Sequence, residues 1–426
     1  MDASTETSLV AGVEATPNSV VVLILGLASA ALALVCVFQG IQQVLIPYQV
    51  LQIDAAHKVG VLALLTTLAA ALAVIGSVAG GALSDRTRTR FGRRSPWLVA
   101  MAVISIGLMI SLAELRTLAA VAVVYAMLWF CLNFYQSVLN AVIPDRIPQK
   151  SRGVVSSAFG LGAALGLALG VNAVAHLTVE HGYVALAGVM FVATAACVVL
   201  VREGATPLEP AAAFQADAGR APAPKGAWLG IFEAFLQRDF ALAFITRAMA
   251  FTALATVSGY TYYILQDHIG PSNLPNHNVK GAIGILVVIQ TVAWVVGGAG
   301  AGWLADRLDR RKLFVGICSI GMAASMLVPL MTPTWTGMVV FYALVGVFFG
   351  IYLAVDLALM TLVLPSRENE GRDLAVLSIA NAGPQLLSPV IAATIISTAG
   401  YDALFLFGFS VSLLSGVAVF FIRSVR

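Results

Sequence analysis

The sequence is poor in charge. Asp, Glu, Lys and Arg make up only 11% of its 426 residues, whereas 60% are hydrophobic. Ordinary soluble domains carry about 25% charged residues, so this composition excludes that class and predicts a chain built to lie in lipid. The formal net charge is only +3. Its arginines recur at the ends of apolar runs, a placement that a membrane explains better than a nucleic-acid partner does.

Several kinds of site are also missing. The four cysteines, Cys36, Cys131, Cys197 and Cys318, all lie inside apolar runs and lack metal-ligand spacing, so we expect neither a disulfide framework nor a metal site. There is no nucleophile elbow, and no P-loop or other nucleotide-binding motif, so an enzyme or an ATP-driven pump is disfavoured and no cofactor is expected. The acidic first residues, followed by a long apolar run, do not fit a signal peptide.

Long apolar runs are what the chain has in abundance, and twelve of them approach the roughly 20 residues needed to cross a bilayer. They lie at 20–46, 59–83, 97–113, 118–142, 153–177, 183–201, 239–266, 280–304, 313–331, 336–363, 374–397 and 402–422. We therefore predict an all-α integral membrane protein with twelve transmembrane helices in two pseudo-symmetric six-helix bundles. The predicted parts are a cytoplasmic tail (1–19), an N-terminal bundle (20–201), a cytoplasmic linker (202–238) and a C-terminal bundle (239–426). We expect a monomer.

An internal repeat supports the division into two halves. The stretch GGALSDRTRTRFGRRSPW after the second run has a shorter counterpart, GAGWLADRLDRRK, after the eighth. Their aspartates, Asp85 and Asp306, lie 221 residues apart, and Pro144 and Pro365 at the ends of two other runs keep the same offset. Two anchors at one offset indicate a tandem duplication.

The distribution of cations predicts the orientation. Of the 24 Lys and Arg residues, 20 fall on the side that holds both motif copies, the linker and the C-terminus. The opposite loops hold only Lys58, Arg116 and Lys280, and Arg247 lies inside the seventh span. Because cytoplasmic loops are enriched in Lys and Arg, we expect both termini and both motif loops to face the cytoplasm, in the cell (inner) membrane.

These features carry a resemblance. Twelve spans in two halves, with G-x-x-x-D-R and trailing arginines after spans 2 and 8, resemble the major facilitator superfamily over the whole chain. Within it, SDRTRTRFGRRSPW, NFYQSVLNAVIPD and IANAGPQLLSP are similar to the branch of sucrose transporters and glycoside–pentoside–hexuronide:cation symporters. The resemblance implies secondary transport of a small-molecule solute by alternating access, with a sugar or glycoside as the leading substrate class.

The motif loops are the predicted gate on the cytoplasmic side. The resemblance implies that Asp85 meets the start of span 11 (371–373) and that Asp306 meets the start of span 5 (151–153), where backbone N–H groups are unsatisfied. Glycines four residues earlier would let helices approach closely, and the arginines would hold carboxylates and anionic lipid headgroups. The residues in this set are Gly81, Asp85, Arg86, Arg93, Arg94, Asp145, Gly302, Asp306 and Arg307. Alternatively, these charges are only topological anchors.

Polar side chains inside the spans predict a central binding site, because each is costly in lipid unless it is paired or hydrated. Four of them, in span 4, are spaced 4, 3 and 4 residues apart, which places them on one helical stripe. Amides suit hydroxyl groups and aromatic rings suit sugar faces, although such amides also commonly join helices. The candidate substrate-binding residues are Gln39, Gln43, Trp129, Asn133, Gln136, Asn140, Asn172, Gln290, Trp294, Asn381 and Gln385.

Two charges lie deep in the C-terminal half, Arg247 in span 7 and Asp356 in span 10. Arg247 lies nine residues after Arg238 and Asp356 nine residues before Pro365, so both are roughly 13 Å from the cytoplasmic end, and we predict an ion pair. In one interpretation, protonation or substrate binding loosens it during transport; in the other, it is static. The resemblance implies acidic residues in span 2 of sodium-coupled members; because spans 1, 2, 4 and 5 lack carboxylates here, sodium coupling is disfavoured. Proton coupling would rest on Asp356, or less favourably on His176, and facilitated diffusion or exchange stays open.

Two other functions remain compatible with the sequence. The apolar remainder of the spans would also suit an exporter of amphipathic or lipid-like compounds, and the same fold could serve a membrane sensor or scaffold that transports nothing.

The three tyrosines Tyr260, Tyr262 and Tyr263 favour an interfacial aromatic belt over a ligand site. The outer histidines, His268 among them, are expected to be solvated.

Overall fold

The computed structural model describes residues 17–89, 91–146, 152–201, 235–308, 311–362 and 370–422. Within these ranges the regular structure is helical, and the one β-bridge joins Thr89 to Gly92. A chain that crosses the bilayer core finds no water there for its backbone N–H and C=O groups, and a helix satisfies them within each segment. The all-α fold predicted from the sequence is confirmed.

The N-terminal half contains six long helices. The first, α1, starts as Pro17–Gly40, passes through a π-helical turn at Ile41–Leu45 and ends as Ile46–Ile53. The others are α2 (Lys58–Arg86), α3 (Ser95–Glu114), α4 (Leu118–Arg146), α5 (Arg152–Ala175) and α6 (Val179–Val201). The prediction that span 1 ends at residue 46 was therefore too short. Pro47 lies in the first turn after the π segment, where its missing N–H is tolerated.

The C-terminal half repeats this arrangement. Its first helix, α7 (Arg238–Ser258), extends through Thr261–Tyr263 into a second π-helical turn at Ile264–Ile269. The 3-10 turns Pro271–Asn273 and Pro275–His277 lead into α8 (Val279–Leu308), which α9 (Arg311–Met331) and α10 (Trp335–Leu362) follow. The last stretch, Glu370–Val419, holds α11 and α12.

The eleven apolar helices of the described residues provide twelve spans, because the last helix is long enough for two. Eleven helices in the described residues are long and apolar enough to cross a membrane, and the last of them, Gly383–Val419, is 37 residues long. It is interrupted at Gly400, whose φ of +82° lies in the left-handed region that glycine adopts at little cost. This break separates α11 from α12. The chain is therefore a multi-pass membrane protein.

The two ends of the bundle carry different loops. We call the end with loop 87–94 and the C-terminus of α8 the motif face. The opposite end, the far face, carries the connections at 54–57, 115–117, 176–178, 270–278 and 332–334, together with the break before α12. These two names are used below without reference to the sides of the membrane.

Glycines set the closest helix contacts within each half. A Cβ added at Gly76 of α2 would lie 2.3 Å from the Phe130 carbonyl oxygen of α4, and one at Gly297 of α8 would lie 2.7 Å from the Val347 carbonyl oxygen of α10. These two glycines are 221 residues apart, the offset of the motif aspartates. The duplication seen in the sequence is thus repeated in helix packing, where small residues let backbones touch.

The buried apolar residues form two clusters. The larger contains most of the N-terminal half together with far-face residues of the C-terminal half, such as Tyr263, Leu286 and Phe405. The smaller lies within the C-terminal half and includes Phe240 and Tyr352. In the described part of the chain, therefore, a continuous apolar core joins the halves through the larger cluster.

Candidate functional site

The amides of the N-terminal half lie on α1 and α4. The Gln43 amide nitrogen donates to the Gln39 side-chain oxygen at 2.8 Å, and Gln43 is within the π-helical turn. On α4, the Asn133 amide nitrogen donates to the Trp129 carbonyl oxygen at 2.9 Å. Gln136 is half-buried and makes no hydrogen bond to any residue that the structure describes. Each of these four side-chain amides therefore has at least one polar atom that makes no hydrogen bond within the described part of the chain.

Trp129, the predicted stacking residue in this half, is covered by other rings. Only 7% of it is exposed. Its ring centroid lies 4.3 Å from that of Tyr125 and 5.3 Å from that of Phe38 in an edge-to-face pair. A solute could stack on Trp129 only if these rings moved.

The remaining amide candidates lie in different environments. Asn172 of α5 donates to the Ala168 carbonyl oxygen at 2.8 Å and to the Gly284 carbonyl oxygen of α8 at 3.2 Å, so it joins the two halves. Asn140 and Gln385 are exposed. The side chain of Asn381 lies outside the described residues.

The C-terminal half brings charge and aromatic rings together. Arg247 of α7 and Asp356 of α10 form an ion pair between a guanidinium nitrogen and Oδ2, with side chains 12% and 1% exposed. The guanidinium carbon is 5.6 Å from the centroid of the Phe251 ring, a cation–π distance. Asp356 Oδ1 is buried without a close hydrogen bond in the described part of the chain, and the Tyr352 hydroxyl interacts with the same carboxylate.

Aromatic side chains extend this cluster toward α8. Phe349 is stacked parallel to Tyr352 at 6.4 Å and meets Phe251 and Trp294 edge-to-face, each at 5.7 Å. Gln290, one turn before Trp294, is half-buried and makes no hydrogen bond within the described part of the chain. Trp294 is thus linked to the predicted ion pair through the rings of Phe349 and Phe251, whereas Gln290 packs against Gly346 of α10, ten residues before Asp356.

At the motif face, Arg94 joins three helices. Its guanidinium lies 2.8 Å from Asp85 of α2 and 2.8 Å from Asp145 of α4, and only 4% of its side chain is exposed. Arg93 also contacts Asp85, at 2.8 Å, whereas Arg86 is exposed. Asp85 therefore bonds arginines of its own half. Its expected contact at 371–373, and the one between Asp306 and 151–153, fall on side chains outside the described residues.

The two motif glycines had been expected to allow close helix approach. A Cβ at Gly81 would meet only Ser137 Oγ at 3.5 Å, an ordinary contact. At the neighbouring Gly80 it would lie 2.6 Å from the Phe134 carbonyl oxygen. The residue that allows close approach is therefore Gly80. Gly302 lies outside the residues whose side-chain surroundings are described, and Arg307 is exposed.

The far face contains contacts between the halves that the sequence did not predict. Tyr263 donates to the Pro47 carbonyl oxygen at 3.1 Å, and Tyr260 donates to the Val59 carbonyl oxygen at 3.2 Å. These tyrosines and Tyr262 are at most 3% exposed, so the expectation of an interfacial belt was wrong. The expectation that His268 is solvated was also wrong, since its side chain is only 17% exposed. Tyr260 and Tyr263 are covered where the two halves meet, whereas His268 is covered by Tyr401 and Phe405 of its own half, and sequence position near a loop reveals neither.

Comparison with known proteins places the chain in a family. The family model described as Major Facilitator Superfamily matches residues 28–277 and 276–426. No curated protein matches the chain.

Solved structures show the same fold. A crystal structure of a mutant of the peptide transporter POT has a TM-score of 0.73 and 16% identity, covering 96% of this chain and 94% of that chain. A structure of peptide transporter POT in complex with sulfate has a TM-score of 0.69 and 15% identity, with coverage of 96% and 95%. At such identities the likeness extends to the fold alone.

Proposed function

This chain belongs to the Major Facilitator Superfamily, and on that premise we propose that it moves a small polar solute by alternating access. It is a transporter and not an enzyme. We propose a sugar or glycoside as the solute, bound between the two halves near the bilayer midplane. The motif face is proposed to be cytoplasmic, as the arginines predict.

The observation that carries the substrate class is the unused hydrogen-bonding capacity of the amides. Gln136 and Gln290 are half-buried without a described partner, and Gln39, Gln43 and Asn133 each keep a free polar atom. None of these polar atoms is among the fully buried unpaired ones. A polar group in a membrane span needs water or a ligand, and hydroxyl groups match amides as both donors and acceptors.

We propose proton coupling through Asp356. Arg247 contacts its Oδ2, whereas Oδ1 is buried without a close hydrogen bond and the Tyr352 hydroxyl interacts with the same carboxylate. A carboxylate in that position has room for a proton on Oδ1, and the resulting neutral acid would hold Arg247 less tightly. The Phe251 ring would still contact the guanidinium after release. Protonation could therefore be linked to the movement of α7 relative to α10.

A second candidate function is export of amphipathic compounds. The rings of Phe251, Trp294 and Phe349 form a half-buried aromatic surface beside the ion pair. Such a surface would suit the apolar part of an amphipathic solute. The same surface would also suit the apolar face of a sugar, so the choice rests on a ligand screen.

The deciding experiment is a thermal-shift screen of the purified protein with sugars, glycosides, small peptides and amphipathic cations. We expect a glycoside to raise the melting temperature, and the rise to be lost in Gln136→Ala and Asn133→Ala. Gln52→Ala is the matched control, because Gln52 is an exposed amide at the far-face end of α1. Stabilisation by amphipathic cations or peptides alone would contradict the sugar assignment. Counterflow in liposomes then tests transport, and a fold that binds but never exchanges solute would contradict the proposed function.

A further inference from the structure

Two of the three far-face cations reach across to the other half. Lys58, at the start of α2, places Nζ 2.6 Å from Asp267 Oδ1 in the π-helical turn after α7. Lys280, at the start of α8, donates from Nζ to the Leu177 carbonyl oxygen after α5 at 2.7 Å. The backbone of each lysine thus belongs to one half, and its ammonium group contacts the other half.

The two lysines also make matching ring contacts. Lys58 Nζ is 5.3 Å from the Tyr263 ring centroid, and Lys280 Nζ is 4.6 Å from that of Tyr48. Both distances are within the range of cation–π attraction. In each case the lysine begins the second helix of its own half and lies over a tyrosine from the first helix, or its extension, of the other half.

The arrangement follows the internal duplication. Lys58 and Lys280 are 222 residues apart, within one residue of the motif offset. The two first helices also carry their π-helical turns close to these tyrosines, at Ile41–Leu45 and Ile264–Ile269. The two lysines and the helices that supply their tyrosines are therefore related by the pseudo-symmetry of the fold, whereas the hydrogen-bond acceptors, Asp267 and Leu177, lie at non-equivalent positions.

We propose that Lys58 and Lys280 form a pseudo-symmetric pair of latches that hold the far face closed, and that this face opens only when both are released. The inference rests on the proposed alternating-access function. It accounts for two cations on a side where the other loops carry almost none. The third, Arg116, pairs with Glu180 at 2.9 Å inside the N-terminal half and cannot act between the halves.

The two latches differ in strength and in what would break them. The Lys58 latch is an ion pair that Asp267 shares with the Tyr401 hydroxyl, which donates to Oδ2 at 2.8 Å. The Lys280 latch has a carbonyl and a ring but no carboxylate in these contacts. Exchanging the two charges of the first latch should therefore preserve it, whereas the second should depend on the ring of Tyr48 and not on its hydroxyl.

The test is a distance measurement across the far face in the full-length protein. Spin labels are attached at Thr117→Cys and Pro333→Cys, which are exposed positions in far-face loops of opposite halves. Double electron–electron resonance between the two labels then measures the opening of the far face. The native cysteines are buried and should label poorly. We expect Lys58→Met and Lys280→Met each to raise the open-to-closed ratio about fivefold, and the double variant to raise it further.

Matched variants separate latching from general damage. Lys58→Asp combined with Asp267→Lys should return the ratio toward wild type, and Tyr48→Phe should leave it unchanged while Tyr48→Leu raises it. Arg116→Met is the control and should have no effect. The proposal is overturned if both lysine variants keep the wild-type distances, or if Arg116→Met opens the face equally. The distance measurement is made without added solute, so its outcome is independent of whether the ligand screen finds a substrate.

Discussion

At the scale of single residues, Gln49 shows how an amide can escape a reading of the sequence. Its amide nitrogen donates to the Leu112 and Leu115 carbonyl oxygens, both at 3.0 Å, and its oxygen accepts from the Tyr183 hydroxyl at 2.9 Å. Span 1 was predicted to end at residue 46 and span 2 to begin at residue 59, so Gln49 fell in the connection between them. The π-helical turn that carries α1 past the proline has no recognisable sequence signal.

We predict that Gln49→Leu destabilises the protein by about 2 kcal/mol, because the buried Tyr183 hydroxyl and Leu112 carbonyl and the half-buried Leu115 carbonyl would lose their partner. Gln52→Leu, on the exposed side of the same segment, should change stability by less than about 0.5 kcal/mol. Thermal unfolding in one detergent measures both. Equal effects of the two substitutions would show that the three hydrogen bonds of Gln49 contribute little.

The ion pair makes a second prediction. Arg247→Met leaves a buried Asp356 without its counter-charge, and we expect a loss of about 3–5 kcal/mol. Combining it with Asp356→Leu removes both charges and should restore most of that stability. Transport by the double variant should lose its dependence on pH, which a static pair would not explain.

Asp356→Asn alone provides the complementary measurement. It keeps the side-chain shape but cannot take up a proton, so uptake driven by a pH gradient should fall to the level of exchange without a gradient. If pH-dependent uptake survives this substitution, the pair is structural and the coupling proposal fails. The sequence predicted this pair from depth alone, because two opposite charges in one apolar half have few other ways to be stabilised.

At the scale of helices, adjacent glycines test how α2 packs on α4. Gly80→Ala would place a Cβ 2.6 Å from the Phe134 carbonyl oxygen, so the helices must separate. We predict a loss of about 1–3 kcal/mol, the usual result of overpacking. Gly81→Ala meets only an ordinary contact at 3.5 Å and should be neutral or stabilising by up to about 1 kcal/mol, since alanine favours helix.

The comparison is sharp because the two glycines are neighbours, and helical geometry points their Cβ positions about 100° apart. Unfolding temperatures of the two variants should therefore move in opposite directions. A common loss would mean that the G-x-x-x-D-R glycine also needs close contact, for example in another transport state. The motif spacing in the sequence drew attention to Gly81, whereas the partner backbone that distinguishes it from Gly80 is visible only in the fold.

Helix existence was predictable and helix detail was not. Long apolar runs must be helical in lipid, so all twelve spans could be derived from composition and length. The π-helical turns at Ile41–Leu45 and Ile264–Ile269 interrupt apolar runs that show no break in the sequence. Ring packing likewise explains why Trp129, expected to contact solute, is covered by Tyr125 and Phe38.

At the scale of the whole molecule, the duplication predicted two halves but could not predict which face closes. The closing residues, such as Lys58, Tyr260 and Tyr263, are of ordinary types near loops, and a pairwise contact between halves leaves no periodic pattern. In the described part of the chain, the hydrogen bonds between halves and the shared apolar core lie toward the far face. We therefore expect the far-face contacts to block access to the α4 amides from that face.

This accessibility gives a prediction for the intact transporter in membranes. Gln136→Cys should react with a membrane-impermeant thiol reagent from the motif face about tenfold faster than from the far face, because the closed far face dominates the population. Thr117→Cys, in a far-face loop, should react only from that side. Comparing right-side-out with inside-out vesicles then assigns both faces to the two sides of the membrane.

Faster labelling of Gln136→Cys from the side that labels Thr117→Cys would mean that the far-face contacts do not close the resting protein. Labelling of Gln136→Cys only in inside-out vesicles would place the motif face in the cytoplasm, as the arginines predict.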